Sequence, residues 1–215
     1  NSLMTSGSDT SFFCAVTDGN PQAPAFQISG VQPCVLSTYD SEGHRKLIRD
    51  LMRMYNIRGV CTAGSDTAPT VAAAAQAAGV PGIPLEVAER THNKWQVRQA
   101  LALAGLGHYQ PRWLLTEASD TRGAWSALGG YPVVVKPLAQ RASRGVSLLR
   151  SPADVGPAWT KAAAYGATVL VEECLTGTEH SVEGLADTEG TLVWFNIVDR
   201  LFDYSTGVPN ETGHV

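Results

Sequence analysis

Long apolar runs, paired cysteines and an excess of basic charge are all missing from this sequence of 215 residues. No segment approaches the roughly 18 continuous apolar residues that a membrane helix needs, so we predict no membrane partner. The 16 lysines and arginines are scattered among 20 acidic residues, which leaves a net charge of −4 and no basic surface for nucleic acid. We therefore predict no nucleic acid partner either.

The four cysteines form no CxxC pair, and no histidine stands at a metal-binding spacing from another histidine or from a cysteine. We therefore predict no metal site in this chain. Three cysteines, Cys14, Cys34 and Cys61, fall inside apparent strands, which favours buried reduced thiols in a cytoplasmic protein. The first residues also lack the basic and apolar segments of an export signal.

The pattern over residues 12 to 92 alternates between strands and helices, which predicts a parallel sheet flanked by helices. The candidate strands are Phe12 to Thr17, Pro33 to Ser37 and Ile57 to Thr62. Apolar residues at helical spacing between positions 47 and 55 predict the first helix. The alanine-rich segment from Asp66 to Ala78, closed by Gly79, predicts a second helix whose small side chains allow close packing.

The most informative stretch runs from residue 131 to residue 179. Its β-branched segment from Pro132 to Pro137 predicts a short strand that carries Lys136. The loop from Ala142 to Val146 offers unhindered backbone N–H groups, and its Arg144 adds a positive charge, so the loop suits polyphosphate oxygens. Two further strands are predicted, from Gly145 to Arg150 and from Thr168 to Glu173.

Clear end signals mark the helix after Arg150. Ser151 is placed as its N-cap, Pro152 as its first residue, and Asp154 three residues after the cap. The remaining predicted elements are a helix from Lys94 to Ala104, a strand from Arg112 to Glu117, and a hairpin of His180 to Ala186 with Leu192 to Asp199.

Taken in order, these elements resemble the ATP-grasp superfamily over nearly the whole chain. The segments ASRGV and VEECLTGTEHSVEG and the closing pair Glu211 and His214 are similar to carboxylate-amine ligases of the L-amino-acid ligase and carnosine synthase type. The resemblance implies an α/β fold with a Rossmann-like N-terminal domain followed by a partial ATP-grasp fold. The implied boundaries are 1–92 for the Rossmann-like domain, 93–119 for a linker helix and strand, 120–178 for the lid, and 179–215 for the start of the catalytic sheet.

The resemblance also implies roles for individual residues. Lys136 matches a lysine that contacts the ATP phosphates, and Lys94 matches another lysine of the nucleotide site, although a lysine in the first turn of a helix is as often merely exposed. The implied nucleotide contacts are Lys94, Lys136, Ser143, Arg144, Gly145, Glu172, Glu173, Leu175 and Glu179.

Glu172 and the backbone of Glu173 and Leu175 would meet the adenine edge, and Glu179 would accept hydrogen bonds from the ribose hydroxyls. Because side chains alternate along a strand, Glu172 and Glu173 cannot both point inward, and the resemblance selects Glu172. Glu211 and His214 would lie by the amino-acid pocket as catalytic residues.

The implied reaction is ATP-dependent ligation of a carboxylate to an amine through an acyl phosphate, with release of ADP and phosphate. Amino acids are the expected substrates, and ATP and Mg²⁺ the expected cofactors. By the same resemblance the magnesium ligands would follow Val215. Two alternatives stay open: a nucleotide-binding fragment or subunit without catalysis, and a biotin-carboxylase-like component, which would carry more glycine where this chain has QRASRGV. The sequence leaves a homo-oligomer open.

Overall fold

The computed structural model describes residues 12–16, 24–62, 66–117, 123–141, 143–203, 205 and 210–215. The chain divides into two compact units, residues 1–89 and residues 90–215. Helices and strands are mixed in the chain, which confirms the predicted α/β class. Within the described ranges, no helix combines the length and apolar character that crossing a bilayer requires.

The first unit contains a two-stranded parallel sheet and helices. Strands β1 (Phe12–Val16) and β2 (Val31–Val35) pair in register from Phe12 opposite Val31 to Val16 opposite Val35. A 3₁₀ helix (Pro24–Gln27) lies between them in the chain, and the helices are α1 (Ser41–Leu51), α2 (Ala68–Ala78) and α3 (Leu85–Thr91), the last of which contains the unit boundary.

Local chemistry fixes the ends of the two long helices. Asp40 caps α1, since its carboxylate accepts a hydrogen bond of 2.8 Å from the Gly43 N–H. Gly79 ends α2 in the left-handed region at φ 65°, where a glycine costs least. Small side chains of α2, Ala74 and Ala78, pack with Ile48 of α1 in the core of this unit. The predicted alanine-rich helix is therefore confirmed.

The predicted strand from Ile57 to Thr62 is wrong, because these residues form no strand. Ile57 and Val60 nevertheless pack against the core of Ile48, Ala74 and Ala78. Their side chains are thus partly buried without ladder hydrogen bonds. A β-branched pattern signals burial, whereas a strand also needs a neighbouring backbone to pair with.

Burial of the cysteine thiols was also predicted too broadly. Cys61 is exposed, and Cys34 and Cys174 are partly exposed. Cys174 lies just after a strand rather than inside one, and Cys61 lies in the segment that forms no strand. A strand position alone therefore does not predict burial, since Cys34 lies in β2 and is still partly exposed.

Two antiparallel sheets form the second unit. The first has the order β3-β6-β4-β5, and the second the order β7-β8-β9. The strands are β3 (Trp113–Glu117), β4 (Val133–Pro137), β5 (Ser147–Leu149), β6 (Thr168–Glu173), β7 (His180–Ala186), β8 (Leu192–Asp203) and β9 (Asn210–His214). The helices are α4 (Lys94–Leu103), α5 (Ala124–Ala127) and α6 (Val155–Ala163), with 3₁₀ turns at Gly107–Tyr109 and Pro152–Asp154.

One face of the first sheet is mostly apolar and carries the core. Val133 and Val135 of β4 and Val169 and Val171 of β6 are almost completely buried, and the helices α5 and α6 pack on them. Each buried valine contributes roughly 1.5–3 kcal/mol of transfer free energy. Alternation along the strands therefore turns the intervening residues toward the opposite face.

The predicted capping box at the start of α6 is confirmed. The Ser151 N–H donates to the Asp154 carboxylate at 2.8 Å, and Pro152 opens the first turn, which is a 3₁₀ turn that leads into α6. The hairpin is also confirmed, because β7 and β8 pair antiparallel from His180 opposite Asp199 onward.

Gly145, which precedes β5, lies in a position that excludes other residues. Its φ is +74°, and a Cβ added there would stand 2.5 Å from Pro137 Cγ and 2.8 Å from Tyr165 Cδ2. The predicted second strand therefore begins later, at Ser147, because Gly145 is part of the preceding turn.

We predict that Gly145→Ala lowers the free energy of unfolding by about 1–3 kcal/mol, since it adds both backbone strain and overlap. The measurement is urea unfolding of the full chain followed by tryptophan fluorescence, because Trp125 and Trp159 pack on the same core. Gly156→Ala in α6 is the matched control, since open space surrounds it and a helical alanine should stabilise. Equal stability of the two variants would contradict the prediction.

Candidate functional site

A cavity of about 690 Å³ lies in the second unit, lined by residues of the first sheet that alternate with the core valines. Its size is in the range of small-molecule sites. The lining residues come from α4, β4, β5, the end of β6 and the segments that adjoin these strands: Lys94, Arg98, Pro111, Pro132, Val134, Lys136, Gln140, Arg141, Ser143, Val146, Leu148, Arg150, Glu172, Glu173, Cys174, Leu175, Thr176 and Glu179.

The wall of this cavity carries more positive than negative charge. Five basic side chains line it (Lys94, Arg98, Lys136, Arg141 and Arg150) against three carboxylates (Glu172, Glu173 and Glu179). The whole chain has the opposite balance, with a net charge of −4. A local excess of cations in an acidic protein suits an anionic ligand.

Glu172 is the most buried charged group of the site. Only 2% of the residue is exposed, and its two oxygens meet two different cations. Arg98 Nε lies 2.6 Å from Oε1, and Lys136 Nζ contacts Oε2. Burial by itself would raise the pKa of this carboxyl, but the hydrogen bond from Arg98 and the charge of Lys136 outweigh it and hold the pKa below its usual range.

Lys94 and Lys136 stand close enough to influence each other. Lys94 begins α4, where Asn93 caps the helix and the Lys94 backbone N–H donates to the Leu138 carbonyl at 3.0 Å. Its Nζ donates to the Gln140 carbonyl. Burial and then the neighbouring Lys136 lower the pKa of the Lys94 ammonium, although Glu172 opposes this effect. Lys94 is thus partly buried beside Lys136 rather than merely exposed.

Glu173 points away from Glu172 and fixes the strand end. Its carboxylate accepts hydrogen bonds from the Arg112 backbone N–H at 3.0 Å and from Arg112 Nε at 2.6 Å. Its own N–H donates to the Arg112 carbonyl at 3.0 Å. These backbone and side-chain bonds hold the pKa of the Glu173 carboxyl below its usual range. The segment that follows therefore leaves β6 from a fixed point.

The loop before β5 contributes to the cavity unevenly. Ser143 lines the cavity and has a positive φ of 56°. Arg144 is exposed, and neither it nor Gly145 belongs to the lining residues. A phosphate contact of Arg144 or Gly145 accordingly stays a prediction from the sequence.

A second charged cluster connects Glu179 to the end of the chain. Arg200 of β8 lies 3.0 Å from Glu179 Oε2 through Nη1 and contacts Glu211 Oε2 through Nη2. Glu211 Oε1 in turn contacts His214 Nε2. Glu179 belongs to the cavity wall, whereas Glu211 and His214 do not. Arg200 thus joins two parts of the predicted site.

Comparison with known proteins identifies the superfamily. Residues 129–215 match the family described as ATP-grasp domain. The chain carries an ATP-grasp domain over these residues. It is 30% identical over 137 residues to a D-alanine–D-alanine ligase of Nitrosospira multiformis, which covers 63% of this chain and 44% of that protein.

Solved structures agree with this ATP-grasp assignment. An L-amino acid ligase from Bacillus licheniformis superposes with a TM-score of 0.63 at 25% identity, covering 80% of this chain and 40% of that chain. The ADP complex of N5-carboxyaminoimidazole ribonucleotide synthetase has a TM-score of 0.68 at 22% identity, covering 91% of this chain and 49% of that chain, which supports the fold alone. This chain spans less than half the length of these relatives.

Sequence reasoning missed the arginines of the candidate site. Arg98 and Arg200 make its central ion pairs, and Arg141, which contacts His92, and Arg150 line the cavity. The spacing of four residues between Lys94 and Arg98 could have revealed Arg98, because residues at that spacing lie on the same face of a helix. Asp199 and Arg200 are neighbours in the sequence but pair with other residues. The two side chains leave opposite faces of β8, and Asp199 pairs with His180 at 2.7 Å instead.

We predict that Glu172→Gln destabilises the protein by about 3 kcal/mol at neutral pH, because it leaves Arg98 and Lys136 without their shared anion. The folded-state pKa of Glu172 lies below the ordinary 4.5, so its contribution is complete above that value and is lost as the pH falls through the lower pKa. The difference in unfolding free energy between wild type and variant should shrink accordingly, as measured by urea unfolding at several pH values.

Glu173→Gln is the matched control for this prediction. It changes the adjacent carboxylate, whose ion pair with Arg112 is more exposed, and should alter stability less. If both variants were equally destabilised, the buried position of Glu172 would not be what makes it important.

Proposed function

We propose that this chain is part of an ATP-dependent carboxylate-amine ligase that joins amino acids through an acyl phosphate and releases ADP and phosphate. The observation that carries the proposal is the cavity, which brings Lys94, Lys136 and Ser143 together with Glu172 and Glu179. The similarity to a D-alanine–D-alanine ligase and to an L-amino acid ligase supports amino acids as substrates.

The basic side of the cavity suits a triphosphate. Lys136 and the partly buried Lys94 supply two ammonium groups, and Arg141 and Arg150 add guanidinium groups to the same wall. Lys136 is paired with Glu172 in this structure. A phosphate that approaches Lys136 would meet an ammonium group already aligned by that pair, which lowers the entropy cost of positioning it.

The carboxylates that line the cavity suit a base and a ribose. An ionised Glu172 only accepts hydrogen bonds, which favours an adenine amino group as its partner. The Glu173 N–H already donates to Arg112, so any backbone contact to the base falls to other groups of this segment, such as those of Leu175. Glu179 supplies the carboxylate for the ribose hydroxyls.

The reaction requires positioning and charge neutralisation more than covalent help from the protein. A substrate carboxylate oxygen attacks the γ-phosphorus, and the bond to the leaving ADP oxygen breaks. The amine nitrogen then attacks the activated carbonyl carbon, phosphate leaves and the nitrogen loses a proton. Lys94 and Lys136 stabilise the charge on the phosphates. In this scheme Glu211 binds the amino-acid ammonium, and His214, which contacts Glu211, is the neighbouring base.

Magnesium fits this chain less well than ATP does. In the part of the chain that the structure describes, no three histidine, cysteine or acidic side chains are grouped as a metal site requires. No step of the scheme is therefore assigned to a metal held by these residues. A second candidate function is nucleotide binding without turnover by this part of the protein, since binding needs only the cavity.

The test is calorimetric titration of the chain with ATP and Mg²⁺, together with mass spectrometry for ADP and dipeptides in amino-acid mixtures. Binding with formation of ADP and a dipeptide would establish the ligase. Binding without products would favour the second candidate. Absence of binding would rule out both, since each depends on the cavity. The cytoplasmic location stays a prediction from the sequence.

We predict that Lys136→Met and Glu179→Gln each weaken ATP binding by roughly tenfold or more, because each removes a charge-assisted contact. Lys136→Met should also lower stability, since it takes one of two cations from Glu172. The measurement is the calorimetric dissociation constant. Lys161→Met is the control, because Lys161 of α6 donates to the Val146 carbonyl at 2.9 Å and does not line the cavity. Unchanged affinity in both site variants would refute the assignment.

A further inference from the structure

Arg200 lies between the start of β7 and the end of β9. It belongs to β8, the central strand of the second sheet, where it pairs with His214 of β9. On the other side its backbone N–H donates to the Glu179 carbonyl at 3.1 Å, just before β7 begins. The central strand thus places one long cationic side chain between two acidic residues from opposite neighbours.

The guanidinium group is held from several directions. Nη1 lies 3.0 Å from Glu179 Oε2, Nη2 contacts Glu211 Oε2, and the carbon of the guanidinium stands 4.7 Å from the centroid of the Phe202 ring. Only a planar fork can bind two carboxylates while it stacks on an aromatic face. The hydrogen bond from Arg200 also holds the pKa of the Glu211 carboxyl below its usual range.

We propose that Arg200 is a positioning residue that orients Glu179 for the ribose hydroxyls of the nucleotide. This inference rests on the proposed function, in which Glu179 accepts those hydrogen bonds. Arg200 binds Oε2 of Glu179, which assigns Oε1 to the incoming hydroxyls. Glu211 provides the second anchor, so the guanidinium does not follow Glu179 as that side chain moves.

Two physical effects make this arrangement important for recognition. Glu179 is about half exposed, and without its partner its long side chain would regain several rotamers that nucleotide binding must then freeze. Glu179 and Glu211 would also repel each other once the cation between them is removed. Arg200 reduces both costs before the ligand arrives.

The experiment compares the dissociation constants of ATP and of 2′,3′-dideoxy-ATP by calorimetry on the full chain. The ratio of the two constants reports only the contacts to the ribose hydroxyls. For the wild type we expect a preference for ATP of roughly tenfold or more, as hydrogen bonds to a carboxylate provide. Arg200→Ala should reduce this ratio to about that of Glu179→Gln, and Arg200→Lys should restore part of it, since an ammonium keeps one contact.

Asp199→Asn is the matched control on the same strand. It removes the neighbouring ion pair with His180, whose distance is 2.7 Å, but leaves Glu179 and Arg200 together. The preference for ATP should persist in this variant. If Arg200→Ala does not fold, Arg200→Gln gives the same readout with a side chain that is neutral and nearly as long.

The outcomes separate this inference from the proposed function. If Arg200→Ala or Arg200→Gln kept the same preference for ATP over 2′,3′-dideoxy-ATP as the wild type, the positioning role would be overturned, even if both nucleotides bound more weakly. The ligase proposal would still stand. Absence of ATP binding by the wild type would overturn both. If Asp199→Asn also lost the preference for ATP over 2′,3′-dideoxy-ATP, the positioning role would be overturned as well. The effect would then come from disturbing the pairing of β7 with β8 rather than from Arg200.

Discussion

The buried Glu172 carboxylate, held between Arg98 and Lys136, is the interaction on which the candidate site depends. It joins α4, β4 and β6 on the face of the sheet opposite the apolar core. A carboxylate this deeply buried is stable only because two cations reach it, and each cation is in turn fixed by it. The same three charges that define the local structure therefore also define where an anionic ligand can bind.

Charge is unevenly distributed both between the whole chain and the cavity and between two clusters within the second unit. The chain as a whole is acidic, yet the cavity wall carries more cations than carboxylates. Within the second unit, the Glu172 cluster lies by the first sheet and the Glu179, Arg200 and Glu211 cluster by the second. Each cluster shares one oppositely charged group between two partners, which keeps the side chains ordered without a ligand.

Much of the second unit could be predicted from its residues. The β-branched runs gave β4 and β6 within a residue, and the Ser151 capping box marked the start of α6. Alternation along β6 implied that only one of Glu172 and Glu173 points inward, and the family resemblance correctly selected Glu172 as the buried one. In the first unit the same pattern failed for residues 57 to 62, because partial burial of Ile57 and Val60 does not require a partner strand.

The sequence by itself determined the local elements, their end signals and the face on which Lys136 stands, since these follow from residues a few positions apart. Only the tertiary structure decided the ion pairs of the site, because Arg98 is 74 residues from Glu172 and Glu179 is 21 residues from Arg200. These pairs depend on the strand orders β3-β6-β4-β5 and β7-β8-β9. Strand order is set by packing over the whole unit, so a pairing between distant charges cannot be deduced from spacing along the chain.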